Sequence, residues 1–446
     1  MRGGAATSDH RLRTRMMLDV AYLLLATVAL PWVVWRRLSG RRPVAAPWTR
    51  FRGDVGGLAS AQDAPRIWMH GVSVGEVQLL AVLAAEIRRQ ATDGGRVPDL
   101  VVSSSTTTGL ELAAARFGVD RAFPCPLDFS WAVSRALERV RPDLLVLGEL
   151  ELWPNLLAAA TRLHVPVVVV NGRISARSAA GYARIAPLAR RMLGQVALVA
   201  ARSEVDAERF RSLGAREVVV TGSLKFDGVR GDRRAAEVQS LSRLAGFRDE
   251  DPVFLAGSTQ DPEERLAAEA FLALRETHPG LRLVIVPRHV ERCDDIAALL
   301  ERRGLRFQRR SRLEAEGADP AARVLLVDTT GELAWWWGTA TVAFVGGSLD
   351  GRRGGQNMLE PAAYGAAVAF GPYTRNFRDE VRRLLDADAA CVVEDGSALT
   401  AFVARCLGEP AWAEALGRRA ATLVASQRGA TSATARLVLD RLPKPT

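Results

Sequence analysis

A single lysine stands out among the residues that could carry out chemistry. The chain has 446 residues and 60 Lys and Arg residues, of which only Lys225 and Lys444 are lysines. A chain that supplies almost all of its positive charge through arginine but keeps one lysine in mid-chain indicates a need for a compact ammonium group there. We therefore predict a functional role for Lys225, although chance retention of a rare residue would leave the same pattern.

The glycine-rich segment 343–379 contains the densest group of residue types that could bind an anion. A predicted strand, 342–345, leads into Gly346-Gly347-Ser348, then into a second glycine group at 351–355 and a helix that we expect to begin near Asn357. Glycine lets backbone amides approach an anion, and a helix N-terminus adds unpaired N–H groups. The segment predicts a phosphate site.

Glu360 lies in the first turn of that expected helix. Its carboxylate could accept hydrogen bonds from sugar hydroxyls, as an acidic residue does for ribose in other nucleotide sites. Simple capping of the helix N-terminus explains an acid at this position equally well. Both roles stay open for Glu360.

Strands and helices must position these residues. From Arg66 onward, short β-branched runs alternate with amphipathic helical stretches, which indicates parallel sheets covered by helices. At 446 residues the chain exceeds what one core supports, so two domains are expected. The predicted strands are 67–70, 100–103, 144–147, 165–170, 198–200 and 218–221 in the first half, and 253–256, 283–286, 324–327, 342–345, 368–370 and 392–393 in the second.

The predicted fold is therefore α/β, with two domains of similar size and a cleft between them. We expect a basic leader and membrane anchor at 1–50, an N-terminal domain at 51–227 and a C-terminal domain at 228–446. The polar loops follow the predicted strands, at the edge where open α/β sheets bind ligands. Neither a G-x-G-x-x-G motif after the first strand nor a P-loop motif is present, which disfavours the usual dinucleotide and P-loop sites.

The net charge of +10 is unevenly distributed. Residues 1–50 hold nine Arg and two Asp, a net charge of +7, and between the arginine clusters lies the nearly apolar stretch 16–35. A bilayer-spanning helix needs about 20 such residues. Two tryptophans followed by arginines resemble an interfacial belt with a cytoplasmic flank. We predict a membrane anchor, with a buried core helix as the alternative.

The sequence shows no pattern that is typical of a metal or cofactor site. The four cysteines have no C-x-x-C spacing and the five histidines are scattered. We expect reduced cysteines, no metal, no cofactor and no nucleic-acid partner.

Eight strings of residues resemble one family, the 3-deoxy-D-manno-octulosonic acid (Kdo) transferases of Gram-negative bacteria. The resemblance covers about residues 17–430 and includes the glycine-rich segment. The strings are WMHGVSVGE (68–76), ELWPN (151–155), NGRIS (171–175), GSLKFD (222–227), AGST (256–259), VPRH (286–289), TGEL (330–333) and FVGGSL…RGGQNMLEPAAYG (344–365).

The resemblance implies the GT-B fold, in which two Rossmann-like domains face a cleft, with an N-terminal membrane anchor at the cytoplasmic face of the inner membrane. It further implies transfer of Kdo from CMP-Kdo to the tetraacyl disaccharide precursor of lipid A. The N-terminal domain would then bind the acceptor and the C-terminal domain the CMP-sugar. How many Kdo units are added stays open.

Roles for individual residues follow from the same resemblance. It implies that Glu76 is the general base, a role that a positioned carboxylate can fill when an acceptor hydroxyl attacks. Capping of a helix would also explain Glu76. Glu151 and Lys225 would stabilise the transition state, with Glu149 as an alternative to Glu151. The residues implied to hold CMP are Pro287, Arg288, Thr330, Gly331, Glu332, Asn357, Met358, Leu359 and Glu360.

Two other classes of protein remain as alternatives. A nucleotide-sugar epimerase shares the two-domain fold but would need neither an anchor nor the base loop that ends at Glu76. A non-catalytic nucleotide-binding protein at the membrane would tolerate replacement of Glu76.

Overall fold

The computed structural model describes residues 18–20, 22–24, 27, 47–60, 64–93 and 97–443. The chain divides into two compact units. Unit 1 comprises the described residues of Met1–Gly228 and Arg428–Thr446, and unit 2 comprises Val229–Gln427.

Unit 1 is built around a parallel sheet, sheet 1, which has seven strands in the described part of the chain. The five strands between its two edge strands are buried, and most of them are rich in Val and Leu, as expected when helices cover both faces of a parallel sheet. The strand order is β3-β2-β1-β4-β5-β6-β7. The strands are β1 (Arg66–Gly71), β2 (Asp99–Ser104), β3 (Ala122–Pro124), β4 (Leu144–Gly148), β5 (Val167–Gly172), β6 (Leu198–Ala201) and β7 (Val218–Val220).

Helices cover both faces of sheet 1, because alternate strand residues enter two separate apolar clusters. Trp68 and Val101 belong to one cluster, and their neighbours Ile67 and Leu100 to the other. The helices of the unit 1 body are α1 (Pro47–Arg52), α2 (Val74–Asp93), α3 (Thr107–Phe117), α4 (Ser130–Val140), α5 (Pro154–Arg162), α6 (Ala176–Arg184), α7 (Ala186–Leu193) and α8 (Glu204–Ser212).

Unit 2 repeats this architecture with a second parallel sheet, sheet 2, also of seven strands among the described residues. The strand order is β10-β11-β9-β8-β12-β13-β14. The strands are β8 (Val253–Thr259), β9 (Arg282–Pro287), β10 (Phe307–Arg309), β11 (Val324–Leu326), β12 (Val342–Val345), β13 (Ala367–Phe370) and β14 (Cys391–Val392).

The helices of unit 2 range in length from 4 to 17 residues. They are α9 (Ala236–Leu244), α10 (Glu263–Leu274), α11 (Cys293–Arg302), α12 (Leu313–Glu316), α13 (Leu333–Trp336), α14 (Leu359–Ala363), α15 (Arg378–Asp386), α16 (Gly396–Gly408) and α17 (Pro410–Ser426). The last helix of the chain is α18 (Ala430–Leu439).

The prediction of two parallel α/β units is confirmed, and every predicted strand is present. The bounds agree within about two residues, except that β8 extends three residues beyond the predicted end at 256. Two strands, β3 and β10, were missed. Each has three residues and lies at the edge of its sheet, where one side is unpaired. Short edge strands need no long apolar run, so their sequences carry little signal.

The chain passes from unit 1 to unit 2 between Gly228 and Val229, one residue after the predicted division at 227. The C-terminal end of the predicted second domain requires a correction, because residues from Arg428 onward belong to unit 1. Helix α18 packs against α2, and Ala430, Ala435 and Val438 are buried in the same apolar cluster as residues of α2. Because the apolar face of α18 is buried against α2, the last helix belongs to unit 1 although it follows unit 2 along the chain.

The predicted anchor 16–35 falls largely outside the described residues. None of the helices in the described ranges is long and apolar enough to cross a bilayer. The anchor therefore stays a prediction. Two of its described residues, Asp19 and Tyr22, form hydrogen bonds with the body of unit 1.

Candidate active site

The loops that follow β1 and β4 leave sheet 1 where the strand order reverses. From β1 the chain builds outward to β2 and β3, and from β4 it builds in the opposite direction to β7. Open α/β sheets bind ligands in the crevice at such a point. The β1 loop carries Glu76, and the β4 loop carries Glu149 and Glu151.

Glu76 lies in the first turn of α2, and both of its carboxylate oxygens accept hydrogen bonds. The N–H of Val72 donates to Oε2 (2.8 Å) and the hydroxyl of Ser73 donates to Oε1 (3.0 Å). The N–H of Glu76 in turn donates to Ser73 Oγ (3.4 Å). Ser73-Val74-Gly75-Glu76 therefore forms an S-x-x-E capping box. The structure thus gives Glu76 a helix-capping role and leaves it half-buried at the ligand edge.

Two glycines allow this carboxylate to lie close to the sheet. A Cβ at Gly71 would stand 3.1 Å from the Cβ of Glu76 and 3.1 Å from Leu80 Cδ1. A Cβ at Gly148 would stand 3.2 Å from the carbonyl oxygen of His70 and 3.9 Å from Glu76 Oε2. Any larger residue at the end of β1 or β4 would therefore crowd Glu76 or the strand beside it.

The three carboxylates are near enough to repel one another. Burial raises the pKa of Glu76, and the charge of Glu149 raises it further against the hydrogen bond from Val72. Burial, together with smaller contributions from repulsion by Glu76 and Glu149, raises the pKa of Glu151 to about 7. Trp153 Nε1 donates to Glu151 Oε2 (3.0 Å) and opposes the shift. Carboxyl groups that titrate near neutrality can exchange protons with a substrate.

Lys225 lies at the same edge of sheet 1, in a 3₁₀ turn (Leu224–Phe226) that follows β7. Asn171 at the end of β5 fixes the start of this turn, since its Oδ1 accepts the N–H of Leu224 (3.2 Å). Asn171 has a φ of 53°, a left-handed conformation that asparagine tolerates better than most residues. The loop that presents Lys225 is therefore held from its N-terminal side by a buried amide.

Asp227 fixes the other end of the Lys225 loop. Its carboxylate accepts the N–H groups of Gly429 (2.7 Å) and Thr431 at the start of α18. A carboxylate at this position satisfies unpaired N–H groups of the helix. The last helix of the chain thus holds the lysine loop in place.

The glycine-rich segment of unit 2 is organised differently from the sequence prediction. The N–H groups of Gly347 and Ser348, which were expected to face a phosphate, donate to Glu263 (2.7 and 3.0 Å). Those of Gln260 (2.9 Å) and Leu349 (3.2 Å) donate to the same carboxylate. The phosphate prediction is wrong for the amides of Gly347 and Ser348, because a buried carboxylate of this chain already occupies the anion position.

Glu360, Asn357 and Trp337 form a second group in unit 2. Asn357 Nδ2 donates to Glu360 Oε1 (3.1 Å) and Trp337 Nε1 donates to Oε2 (3.1 Å). Burial raises the pKa of Glu360, while these two donors and the charge of Arg288 lower it in part. Arg288 is exposed at the end of β9. The expected helix near Asn357 is the five-residue helix α14, which begins at Leu359.

Glu332 is held by an arginine and a tryptophan. Arg310 forms a two-pronged ion pair with its carboxylate (2.7 and 2.9 Å), and the hydroxyl of Thr329 donates to it (2.7 Å). Trp336 Nε1 lies 3.4 Å from the same carboxylate. The adjacent residues Trp336 and Trp337 therefore direct one indole N–H to Glu332 and one to Glu360.

The remaining predicted CMP-binding residues differ in accessibility. Thr330 and Gly331 are exposed in the loop before α13, and Gly331 has a φ of 87°. The side chains of Met358 and Leu359 are fully buried, and the N–H of Leu359 donates to Asn357 Oδ1 (3.2 Å). Pro287 is buried at the end of β9. Contact of Met358 and Leu359 with a ligand through their side chains would require repacking of the core.

Two residues that matter to these groups were not identified from the sequence. Nothing distinguishes Glu263 from its neighbour Glu264 along the chain, because three of its four partners lie 84–86 residues away. Trp153 lies within the string ELWPN, but the hydrogen bond from its indole N–H to Glu151 depends on the conformation of the β4 loop. Across the described residues, no group of three His, Cys, Asp or Glu residues is arranged to hold a metal ion.

Comparison with known proteins points to one family. The family model described as 3-deoxy-D-manno-octulosonic-acid transferase matches residues 49–228. A 3-deoxy-D-manno-octulosonic acid transferase from Bordetella pertussis is 35% identical over 412 residues, which are 90% of this chain and 93% of that protein. A transferase of the same name from Haemophilus influenzae is 33% identical over 379 residues, 84% of this chain and 86% of that protein.

The fold is also similar to that of a more distant solved protein. The crystal structure of a UDP-GlcNAc 2-epimerase from Neisseria meningitidis aligns with a TM-score of 0.54 at 13% identity, covering 84% of this chain and 99% of that chain. At this identity the likeness concerns the fold alone.

Proposed function

Because the chain belongs to the 3-deoxy-D-manno-octulosonic acid (Kdo) transferase family of glycosyltransferases, we propose that it moves Kdo from CMP-Kdo to the tetraacyl disaccharide precursor of lipid A with inversion. One observation carries this proposal. Glu76, Glu149 and Glu151 lie together where the strand order of sheet 1 reverses, and burial, followed by repulsion from neighbouring carboxylates, raises the pKa values of Glu76 and Glu151. Such an arrangement suits proton transfer at a sugar hydroxyl.

In the proposed reaction Glu76 is the general base. It accepts the proton of the attacking acceptor hydroxyl while the new C–O bond forms at the anomeric carbon of Kdo. The bond from that carbon to CMP breaks, and its electron pair leaves on the phosphate oxygen. The existing hydrogen bonds of Glu76 hold its carboxylate in one orientation, which reduces the cost of positioning the base.

Lys225 and Glu151 stabilise charge in the transition state. The compact ammonium group of Lys225 would oppose the negative charge that develops as CMP departs. Glu151 titrates near neutrality, so either its protonated or its ionised form is accessible under physiological conditions. Glu149 remains the alternative for this second acid.

Unit 2 holds the CMP-sugar in this proposal. Arg288 is exposed beside Glu360 and offers a guanidinium group suited to a phosphate. Thr330 and Gly331 are exposed, and Glu332, Asn357 and Glu360 are fixed by Arg310, Trp336 and Trp337. Pro287, Met358 and Leu359 would serve through their backbone and by fixing this framework.

We also propose that the protein works at the cytoplasmic face of the inner membrane. Support comes from the net charge of +7 in residues 1–50 and from the apolar stretch 16–35. A lipid acceptor would be reached there without leaving the membrane surface.

The test is to incubate the purified full chain with CMP-Kdo and the tetraacyl precursor, and to weigh the lipid product by mass spectrometry. We expect CMP release together with a product heavier by one or more Kdo residues. The mass increment gives the number of units added. CMP release without a heavier lipid, or epimerisation of a sugar nucleotide instead, would contradict the proposal.

A further inference from the structure

The N-terminal segment makes buried polar contacts that the proposed reaction leaves unused. Asp19 is only 8% exposed although it lies within the predicted apolar anchor. Its Oδ1 accepts the N–H of Ser130 (2.9 Å) and the amide Nδ2 of Asn155 (3.1 Å), and its Oδ2 accepts the hydroxyl of Ser130. A membrane anchor alone gives no reason for a carboxylate with three donors, since a charged residue in the bilayer is costly.

Asp128 completes this group of residues. Its Oδ1 accepts the N–H of Leu156 (2.8 Å), and its Oδ2 accepts the N–H of Asn155 (3.0 Å) and the hydroxyl of Tyr22 (3.1 Å). The ring of Tyr22 also packs edge-on against Phe129, with 6.0 Å between centroids. Asp128 therefore satisfies the first N–H groups of α5 and receives a hydrogen bond from the N-terminal segment.

We call the five residues Asp19, Tyr22, Asp128, Ser130 and Asn155 the N-terminal hub. Asn155 is its centre, because its Nδ2 donates both to Asp19 and to the carbonyl oxygen of Asp128 (2.6 Å). Asn155 is 2% exposed and lies at the start of α5. Helix α5 begins where the β4 loop ends, so the hub fixes one end of the loop that carries the two acids.

Asn155, at the fixed end of the loop, is close along the chain to Glu151. Trp153 lies two residues before Asn155, and its Nε1 donates to Glu151 (3.0 Å). The other end of the loop is fixed by β4, where the N–H of Glu149 donates to the carbonyl oxygen of Val170 (2.9 Å). Seven residues with both ends held have few conformations, so releasing one end would move Glu151.

We propose that Asp19 and Tyr22 are positioning residues for the second acid of the reaction: through Asn155 and Asp128 they hold the loop that places Glu151. The inference rests on the proposed function for the role of Glu151, although the contacts themselves do not. The N-terminal segment is thus a structural part of the acceptor-side site in addition to any membrane role.

Two variants of the full chain test this in a detergent-dispersed assay, where membrane attachment is not needed. Tyr22→Phe keeps the ring against Phe129 and removes one hydrogen bond, and Asp19→Ala removes three. A displacement of a catalytic group by about 1 Å can cost on the order of 10²-fold in rate. We expect kcat to fall about tenfold for Tyr22→Phe and more for Asp19→Ala, with the KM for CMP-Kdo unchanged. Val20→Thr, at an exposed position of the same segment, is the matched control.

The pH profile separates positioning from a general loss of structure. Burial raises the pKa of Asp128 to about 6, and the hydrogen bond from Tyr22 is one of the contacts that hold it down. Asp19 and Cys125 also interact with this carboxylate, and both stay in place in Tyr22→Phe. Loss of the Tyr22 hydroxyl raises the pKa of Asp128 further. The deficit in kcat should therefore be greatest below neutral pH and shrink as pH rises.

Hydrogen exchange provides a readout that does not depend on transfer. The amides of Asn155 and Leu156 should exchange faster in Tyr22→Phe and Asp19→Ala than in Val20→Thr. Unchanged exchange in both hub variants, or a kcat equal to that of the control at every pH, would overturn the inference. If the wild-type chain transferred no Kdo, the proposed function would fail, and exchange at Asn155 and Leu156 would still decide whether the segment holds the loop.

Discussion

Sheets 1 and 2 both carry carboxylates where their strand order reverses, half-buried in unit 1 and including the buried Glu263 in unit 2, but the surroundings of those carboxylates differ. In unit 1, Glu76, Glu149 and Glu151 face one another, and repulsion is among the causes that raise the pKa values of Glu76 and Glu151. In unit 2, burial also raises the pKa of Glu263, but four backbone N–H groups donate to its carboxylate and oppose that shift. One fold therefore supports two kinds of ligand edge.

The two units differ in how many hydrogen-bond donors and positive charges surround each carboxylate, which we describe as how well its negative charge is balanced. Glu332 is paired with Arg310 and Glu360 receives two donors, so the acids of unit 2 serve to fix loops. The acids of unit 1 have fewer donors than accepting positions and repel their neighbours. A carboxylate that is poorly balanced in the resting protein can respond to a substrate, whereas a well-balanced one gives rigidity.

The largest expected effect is the loss of turnover in Glu76→Gln. A general base contributes about 10²–10⁴-fold to the rate, so kcat should fall by that factor while CMP affinity stays the same. Gln also serves in the capping box, so a capping role alone predicts wild-type turnover. Steady-state kinetics and CMP titration measure the two quantities. Glu86→Gln on the same helix is the control, and a Glu76→Gln variant that retains more than about a tenth of the wild-type kcat would exclude the base assignment.

Lys225→Arg should fail almost as badly as Lys225→Ala, with a loss of kcat on the order of 10²–10³-fold. The planar guanidinium is larger than an ammonium group and cannot occupy the same point in a loop fixed by Asn171 and Asp227. Melting temperatures should be unchanged. The reverse exchange at an exposed position, Arg211→Lys, should leave the kcat unaltered. Near wild-type turnover in Lys225→Arg would show that a compact ammonium group is not required. Either any positive charge is sufficient at this position or no charge is needed there.

Glu263→Gln tests the balanced edge of unit 2. The new NH₂ group would face two backbone N–H groups, and each unsatisfied buried group costs about 1–3 kcal/mol, so the free energy of unfolding should fall by about 2–6 kcal/mol. Denaturant unfolding monitored by circular dichroism measures it. Glu269→Gln, on the partly exposed side of the same helix, should change stability little. A stable Glu263→Gln protein would mean that the glycine-rich loop does not depend on this carboxylate.

The same exchange at Glu151 should have the opposite sign. The pKa of Glu151 is raised from 4.5 to about 7 in the folded chain, so stability from this group is present below pH 4.5 and is lost as pH rises through 7. Glu151→Gln should therefore raise the melting temperature at pH 8 by about 2–4 °C, an increase that partial exposure keeps small. At pH 5 the gain should be smaller. Thermal unfolding at both values gives the result, and destabilisation at pH 8 would remove the contrast between the two edges.

The sequence by itself determined the fold class and the position of most ligand loops. Short apolar and β-branched runs can be recognised from neighbours along the chain, so β1, β4 and β12 could be predicted locally. The S-x-x-E spacing at Ser73–Glu76 and the rarity of Lys225 can likewise be recognised from the sequence alone. Parallel strands then bring their carboxyl ends to one edge, whatever lies between them.

Only the tertiary structure decided which polar groups satisfy one another. Glu263 bonds amides more than 80 residues away, Asp227 caps a helix more than 200 residues away, and Asp19 reaches Asn155 across 136 residues. These pairings depend on which buried donors lack partners once the apolar faces have packed. Burial of α18 against α2 likewise placed the end of the chain in unit 1. Burial of a polar group costs free energy unless a hydrogen bond compensates for its lost hydration, and a linear pattern of residues does not encode which groups are buried together.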